Sequence, residues 1–134
     1  MTAVDSSVVV AACASWHDMH DLARKTLDRG PRLVGHCALE ALSVLTRLPA
    51  PNRVPAALVI EFLGDWFSDD PLVLSASDMR ALPRQLQQLG IAGGAVYDGL
   101  VAMTARAHGV ELLSLDTRAD PTYRRCGVSY RILT

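Results

Sequence analysis

The chain has 134 residues, half of them hydrophobic and a fifth charged, with a formal net charge of -1. That length suits one domain, 1–134, with a real core, and the composition is that of a globular protein rather than a disordered one. The near-neutral balance excludes a broadly basic protein that coats nucleic acid, while leaving room for a local basic patch.

Taken in chain order, Thr2–Val4 reads as a short buried strand. Asp5-Ser6-Ser7 is a turn or helix start leading into Val8-Val9-Val10-Ala11-Ala12. The periodicity of Met19, Leu22, Ala23 and Leu27 predicts a helix over His17–Arg29, stopped by Gly30-Pro31. Arg32–Gly35 is a brief strand or loop, and His36–Leu48 a strong helix ended by Pro49-Ala50-Pro51-Asn52. Pro55–Phe67 is helical, with Leu58, Val59, Phe62, Leu63 and Trp66 on its apolar side. Pro71–Leu74 is strand-like, and Ser77–Leu89 is a helix for which Ser75 or Ser77 offers a cap. After a glycine-punctuated loop, Gly90 to Gly94, an Ala-rich helix covers Ala95–His108 and Gly109 closes it. Val110–Leu115 is a strand, Pro121–Cys126 a short helix, and Val128–Leu133 a terminal strand.

Short apolar strands alternating with helices describe an α/β fold, with a central, short parallel sheet flanked by helices on both faces. In such sheets the functional crevice lies beyond the carboxyl ends of the strands, near the topological switch point. No apolar run approaches the roughly 20 residues that span a bilayer. The start of the chain has neither the basic nor the long apolar region of a signal peptide. Cys13, Cys37 and Cys126 are an odd number at scattered spacing, read as reduced thiols of a cytoplasmic protein without membrane contact.

Four carboxylates interrupt apolar or small-residue runs: Asp5, Glu40, Asp98 and Asp116. A buried carboxylate without a partner is costly, so it protonates, finds a cation or binds a metal. The helical neighbours of Glu40 three and four residues away are His36, Cys37, Ser43 and Val44, and those of Asp98 are Gly94, Ala95, Val101 and Ala102. Neither set contains Lys or Arg. Asp21 differs, with Arg24 and Lys25 at those spacings, an ordinary surface pairing. Asp5 and Asp116 each close a predicted strand and so reach the same edge of a parallel sheet. Hard oxygen donors of this kind select Mg²⁺, with Mn²⁺ as the alternative. Such a site activates a water for attack on a phosphodiester, and no convincing Ser-His-Asp or Cys-His arrangement competes with it. Ser7 and Ser114, each two residues from a candidate ligand, can support a carboxylate or a metal-bound water.

The runs Val4-Asp5-Ser6-Ser7-Val8-Val9, Ala38-Leu39-Glu40-Ala41, Gly93 to Ala102 and Leu113-Ser114-Leu115-Asp116 resemble the four acidic motifs of PIN-domain ribonucleases. With the ending Thr122 to Val128, the match is nearer to the VapC-type toxins of bacterial toxin–antitoxin pairs. It spans nearly the whole chain, and the ordered set is more specific than any one motif. The resemblance implies a Mg²⁺- or Mn²⁺-dependent endoribonuclease that cuts RNA, is neutralised by a cognate antitoxin and is usually a homodimer. It makes Asp5, Glu40, Asp98 and Asp116 the catalytic and metal-binding residues. The further acidic residue common after the last motif is here only Asp120, at a looser spacing, and Asp120 reads more simply as a cap for the helix at Pro121.

Twelve Arg and a single Lys make up the basic residues. Arg80, Arg84, Arg106 and Arg118 are the candidate contacts to an RNA backbone, because the planar guanidinium suits phosphate. Gly93-Gly94 can admit a phosphate to a helix start, or can simply be a loop before a tightly packed helix. Phe62 and Trp66, with Leu58 and Leu63, read either as core or as a groove for a partner. His17 and His20 supply two ligands where zinc needs three or four. Two other readings compete. A receiver-type signalling domain needs a late Lys, whereas the only Lys is Lys25. A non-catalytic PIN-like binding module would have no use for four unpaired carboxylates.

Overall fold

The computed structural model describes residues 1–134. Strand β1 (Thr2–Val4) leads into helices α1 (Ser6–Cys13) and α2 (His20–Leu27), then strand β2 (Arg32–Leu33). Helices α3 (Gly35–Thr46), α4 (Ala56–Trp66), α5 (Ala76–Gln88) and α6 (Ala95–Ala107) follow. Strand β3 (Glu111–Ser114), a 3-10 turn at Thr117–Ala119, helix α7 (Asp120–Cys126) and strand β4 (Tyr130–Ile132) complete the chain. The four strands form one parallel sheet in the order β2-β1-β3-β4, with Val4 opposite both Leu33 and Leu113. It is the α/β architecture expected from the alternation of short apolar strands and helices.

Parallel neighbours require crossover connections, and these are almost always right-handed. The chain moves from β1 outward to β2, then returns past β1 to β3 and on to β4. That reversal puts the crossover helices on opposite faces and sets the switch point between β1 and β3. Both strands are covered on two sides, so Ala3, Val4 and Leu112 are wholly buried. Val8 and Val9 of α1 and Tyr123 of α7 join the same core, while Ala14, Leu45 and Val59 form a smaller cluster where α3 meets α4.

Most elements lie within two residues of their predicted bounds, and the departures have local causes. Helix α2 begins at His20 rather than His17, because the His17 Nδ1 accepts the Met19 N–H and closes a turn first. Pro71–Leu74 is reduced to one bridge, Val34 to Leu72, flanked by the Leu72 N–H to Leu33 and the Gly35 N–H to Leu72. Pro71 has no N–H with which to extend it. Of the two cap candidates for α5, Ser75 is the one that accepts the Asp78 N–H, at 3.1 Å. Asp120 is no cap: it is the first residue of α7 and bonds Arg124 at 2.8 Å and the Tyr130 hydroxyl at 2.7 Å.

Candidate active site

Each of the four carboxylates stands on a different element. Asp5 directly follows β1 and is only 4% exposed. Asp116 lies two residues beyond β3, Glu40 midway along α3, and Asp98 in the first turn of α6. Because β1 and β3 are adjacent and parallel, Asp5 and Asp116 share one sheet edge, at the switch point. The Asp5 N–H donates to the Leu113 carbonyl at 3.2 Å, so the two strand ends are directly joined there.

Hydroxyl groups organise that junction. Ser7 donates its O–H to Asp5 Oδ1 and accepts the Leu115 N–H at 2.8 Å. Ser114 accepts the Asp116 N–H at 3.0 Å, and its Oγ lies 3.4 Å from that of Ser7. Ser7 therefore touches a carboxylate, whereas Ser114 holds the backbone that carries one. The second oxygen of Asp5 accepts the Tyr123 hydroxyl at 2.7 Å. That hydroxyl is buried, and burial together with the Asp5 charge pushes its pKa far up, so it stays a donor.

The carboxylates also sense one another. Asp98 is raised to about 6, first by burial and then by the charges of Asp116, Glu40 and Asp5. Glu40 is raised as well, mainly by burial, with His36 opposing the shift. Buried Cys37, three residues before Glu40, is pushed well above the ordinary thiol range by burial and by Asp5 and Glu40, and remains neutral. No three His, Cys, Asp or Glu side chains are drawn together tightly enough to form a ready-made metal cage. All but Asp98 have a local partner instead, Asp5 in the hydroxyls of Ser7 and Tyr123. Glu40 is 3.5 Å from His36 Nε2, and Asp116 is 3.2 Å from the Arg118 guanidinium. Both pairings qualify the expectation that cations are absent: His36 is one helical turn from Glu40, and Arg118 folds back across the 3-10 turn.

The four arginines separate by position. Arg118 acts on Asp116 and, at longer range, on Asp98. Arg80 and Arg84 are exposed on α5. Arg106 stands two turns past Asp98 on α6 and donates to the Cys126 carbonyl at 3.1 Å. His17 and His20 form no metal site, since no third His, Cys, Asp or Glu joins them; their Nδ1 atoms bond the Met19 N–H and the Ala11 carbonyl. Phe62 and Trp66 are half-buried against the core, with the Arg24 guanidinium over both rings.

Residues 2–124 match the PIN domain family. The chain belongs to that family. Ribonuclease VapC40 of Mycobacterium tuberculosis is 44% identical over 134 residues, covering all of both chains. Ribonuclease VapC27 of the same organism is 41% identical over 127 residues, 94% of this chain and 92% of its own. Among solved structures, FitAcB from Neisseria gonorrhoeae superposes with a TM-score of 0.64 at 17% identity, covering 97% of this chain and 96% of that one. PAE2754 from Pyrobaculum aerophilum gives 0.62 at 20% identity, covering 96% and 89%. At those identities the structural likeness speaks to the fold alone.

Within this PIN domain, Tyr123 and His36 touch site carboxylates without having been singled out in the sequence. Tyr123 is 118 residues from Asp5, and no helical or strand spacing links them. His36 carried a signal, its four-residue separation from Glu40.

Proposed function

We propose that residues 1–134 form a single PIN-like nuclease domain, a metal-dependent endoribonuclease that serves as the toxin of a toxin–antitoxin pair. The observation that supports this reading is that Asp5 and Asp116 follow adjacent parallel strands at the switch point, while Glu40 and Asp98 stand on helices α3 and α6, which pack against each other. Asp5, Glu40, Asp98 and Asp116 are the proposed catalytic and metal-binding residues. Their donor set fits a hard divalent cation, Mg²⁺ or Mn²⁺: it is all oxygen, with Asp5 buried and the other three half-buried, and it is self-repelling, with Arg118 beside Asp116 and His36 beside Glu40 as its cationic neighbours. Bound there, such a cation supplies Lewis-acid activation of a water and charge stabilisation of the departing oxygen.

The chain's own groups have distinct tasks. Ser7 and Tyr123 hold the two oxygens of Asp5 in fixed directions, and Ser114 holds the Asp116 backbone. The exposed guanidinium of Arg118 is suited to a phosphate of the RNA backbone, with Arg80, Arg84 and Arg106 as weaker candidates. An antitoxin would cover apolar surface such as Leu58 and Ile60 of α4, which are 54% and 60% exposed. Action as a homodimer in the cytoplasm, away from membranes, completes the proposal; no helix is long and apolar enough to cross a bilayer.

The test is cleavage of structured RNA in the presence of Mg²⁺ or Mn²⁺. Activity is expected to vanish with EDTA and with Asp98→Asn. Cleavage that survives Asp98→Asn would remove Asp98 from the site. Calorimetry showing no Mn²⁺ binding at millimolar metal would favour a non-catalytic binding module.

A further inference from the structure

Tyr97 immediately precedes Asp98 on α6, yet its side chain is 57% exposed. Its ring is held flat against that of His36, with centroids 5.5 Å apart and planes within 6° of parallel. His36 is itself anchored, its Nε2 3.5 Å from the Glu40 carboxylate. Two helices that each carry a site carboxylate therefore also contribute one ring each to a two-layer aromatic stack at the rim. Tyr97 also borders a groove of about 700 Å³ between α5 and α6, whose walls include Met79, Leu86 and Val96.

An exposed aromatic alone is unremarkable on a protein surface. This ring differs in having one face backed by His36 and in being linked through His36 to Glu40. That backing lowers the cost of ordering the ring against a flat, apolar ligand face. RNA is the substrate class whose unstacked bases present such faces, and base–aromatic stacking accepts any base because every base has a π-face.

We propose that the Tyr97–His36 stack is a nucleobase platform: an unpaired base next to the scissile phosphate lies on the open face of Tyr97 and sets that phosphate against the carboxylates. The platform rests on the nuclease reading above and adds to it the substrate feature that is gripped. It selects for an unstacked nucleotide at the cut, so single-stranded or looped RNA is preferred over continuous duplex. The phenol hydroxyl is not required, since the ring face makes the contact.

The experiment uses the full chain with Mn²⁺ and single-stranded RNA containing the wild-type cleavage site. An abasic ribose is placed in turn at each nucleotide flanking the cut. Tyr97→Ala is expected to raise KM about ten-fold, while Tyr97→Phe and Tyr97→Trp stay within about two-fold of wild type. At one flanking position the abasic ribose should cost the wild type the same factor and cost Tyr97→Ala nothing more. 2-Aminopurine at that position should be quenched on binding to wild type but not to Tyr97→Ala. A wild type that cuts RNA while Tyr97→Ala keeps its KM overturns the platform and leaves the nuclease reading standing. Abasic and Tyr97→Ala losses that multiply at every position overturn it too. So does a Tyr97→Ala chain that sediments as a smaller species than wild type with a parallel loss of activity, which would assign this face to a second copy. A wild type that neither cuts nor binds RNA overturns both readings.

Discussion

Around Asp5, two hydroxyl groups converge on one buried carboxylate, Ser7 on Oδ1 and Tyr123 on Oδ2. Removing the Tyr123 hydroxyl leaves a buried oxygen unpaired, which costs about 1–3 kcal/mol. Tyr123→Phe keeps the ring and its edge-on packing against Tyr130, so the loss belongs to the hydrogen bond. Denaturant unfolding of the metal-free variant is expected to show it, and Mn²⁺ affinity should fall about ten-fold or more, as when the support of a ligand is lost. Unchanged affinity would reduce Tyr123 to a packing residue. Asp98 carries a pH prediction of opposite sign to the usual carboxylate. Its folded pKa of about 6 stands above the ordinary carboxyl value of 3.8. Between those values the folded state holds the proton more tightly, so this group's contribution to stability falls as pH rises through the window. Asp98 should therefore raise the melting temperature of the metal-free protein near pH 5 relative to pH 7. Asp98→Asn should flatten that difference, and a profile identical to wild type would contradict the assignment.

At the scale of elements, the site depends on how short strands stop and helices start. Asp5 ends β1 and caps α1 with the same carboxylate that faces the site, through the Ser7 N–H at 3.0 Å. Asp116 repeats the device beyond β3, accepting the Arg118 N–H at 3.0 Å across the 3-10 turn. At its far end, helix α7 is closed by Gly127 in the left-handed region, with φ of +69°. That turn directs the chain into β4 while Tyr123 stays under Asp5. Gly127→Ala must adopt a conformation that a Cβ disfavours by about 1–2 kcal/mol. Chemical denaturation should show that loss, with Mn²⁺ affinity much less affected than in Tyr123→Phe. Strand and helix positions of this kind were legible in the sequence from apolar periodicity and from breakers such as Gly30-Pro31 and Gly109. The choice of Ser75 over Ser77 as the cap of α5 and the late start of α2 were not, because each turns on one hydrogen bond between neighbours rather than on a pattern.

For the molecule as a whole, folding gathers like charges that would separate if free to do so. The sheet and its two layers of helices supply the enclosing structure, and the acidic edge is where charge repulsion opposes it. A cation that binds only the folded state adds about 2.7 kcal/mol of stability at a hundred times its dissociation constant. For a chain of this size that corresponds to a rise in melting temperature of about 10 °C. Thermal unfolding with and without saturating Mn²⁺ should show this rise in wild type and lose most of it in Asp98→Asn. An equal rise in both would locate the ion elsewhere.

By itself, the sequence determined the alternation of strands and helices and marked four acidic groups as out of keeping with their apolar surroundings. Those properties are local, written in hydrophobic periodicity and in the residue types next to Asp5, Glu40, Asp98 and Asp116. The tertiary structure decided what surrounds each group: Tyr123 beneath Asp5, Arg118 beside Asp116, and the His36–Tyr97 stack at the rim. Such partners are brought together by the reversal of strand order between β1 and β3 and by the packing of helices distant in sequence. Spacing along the chain carries no record of contacts across 118 residues, so only the folded sheet could reveal them.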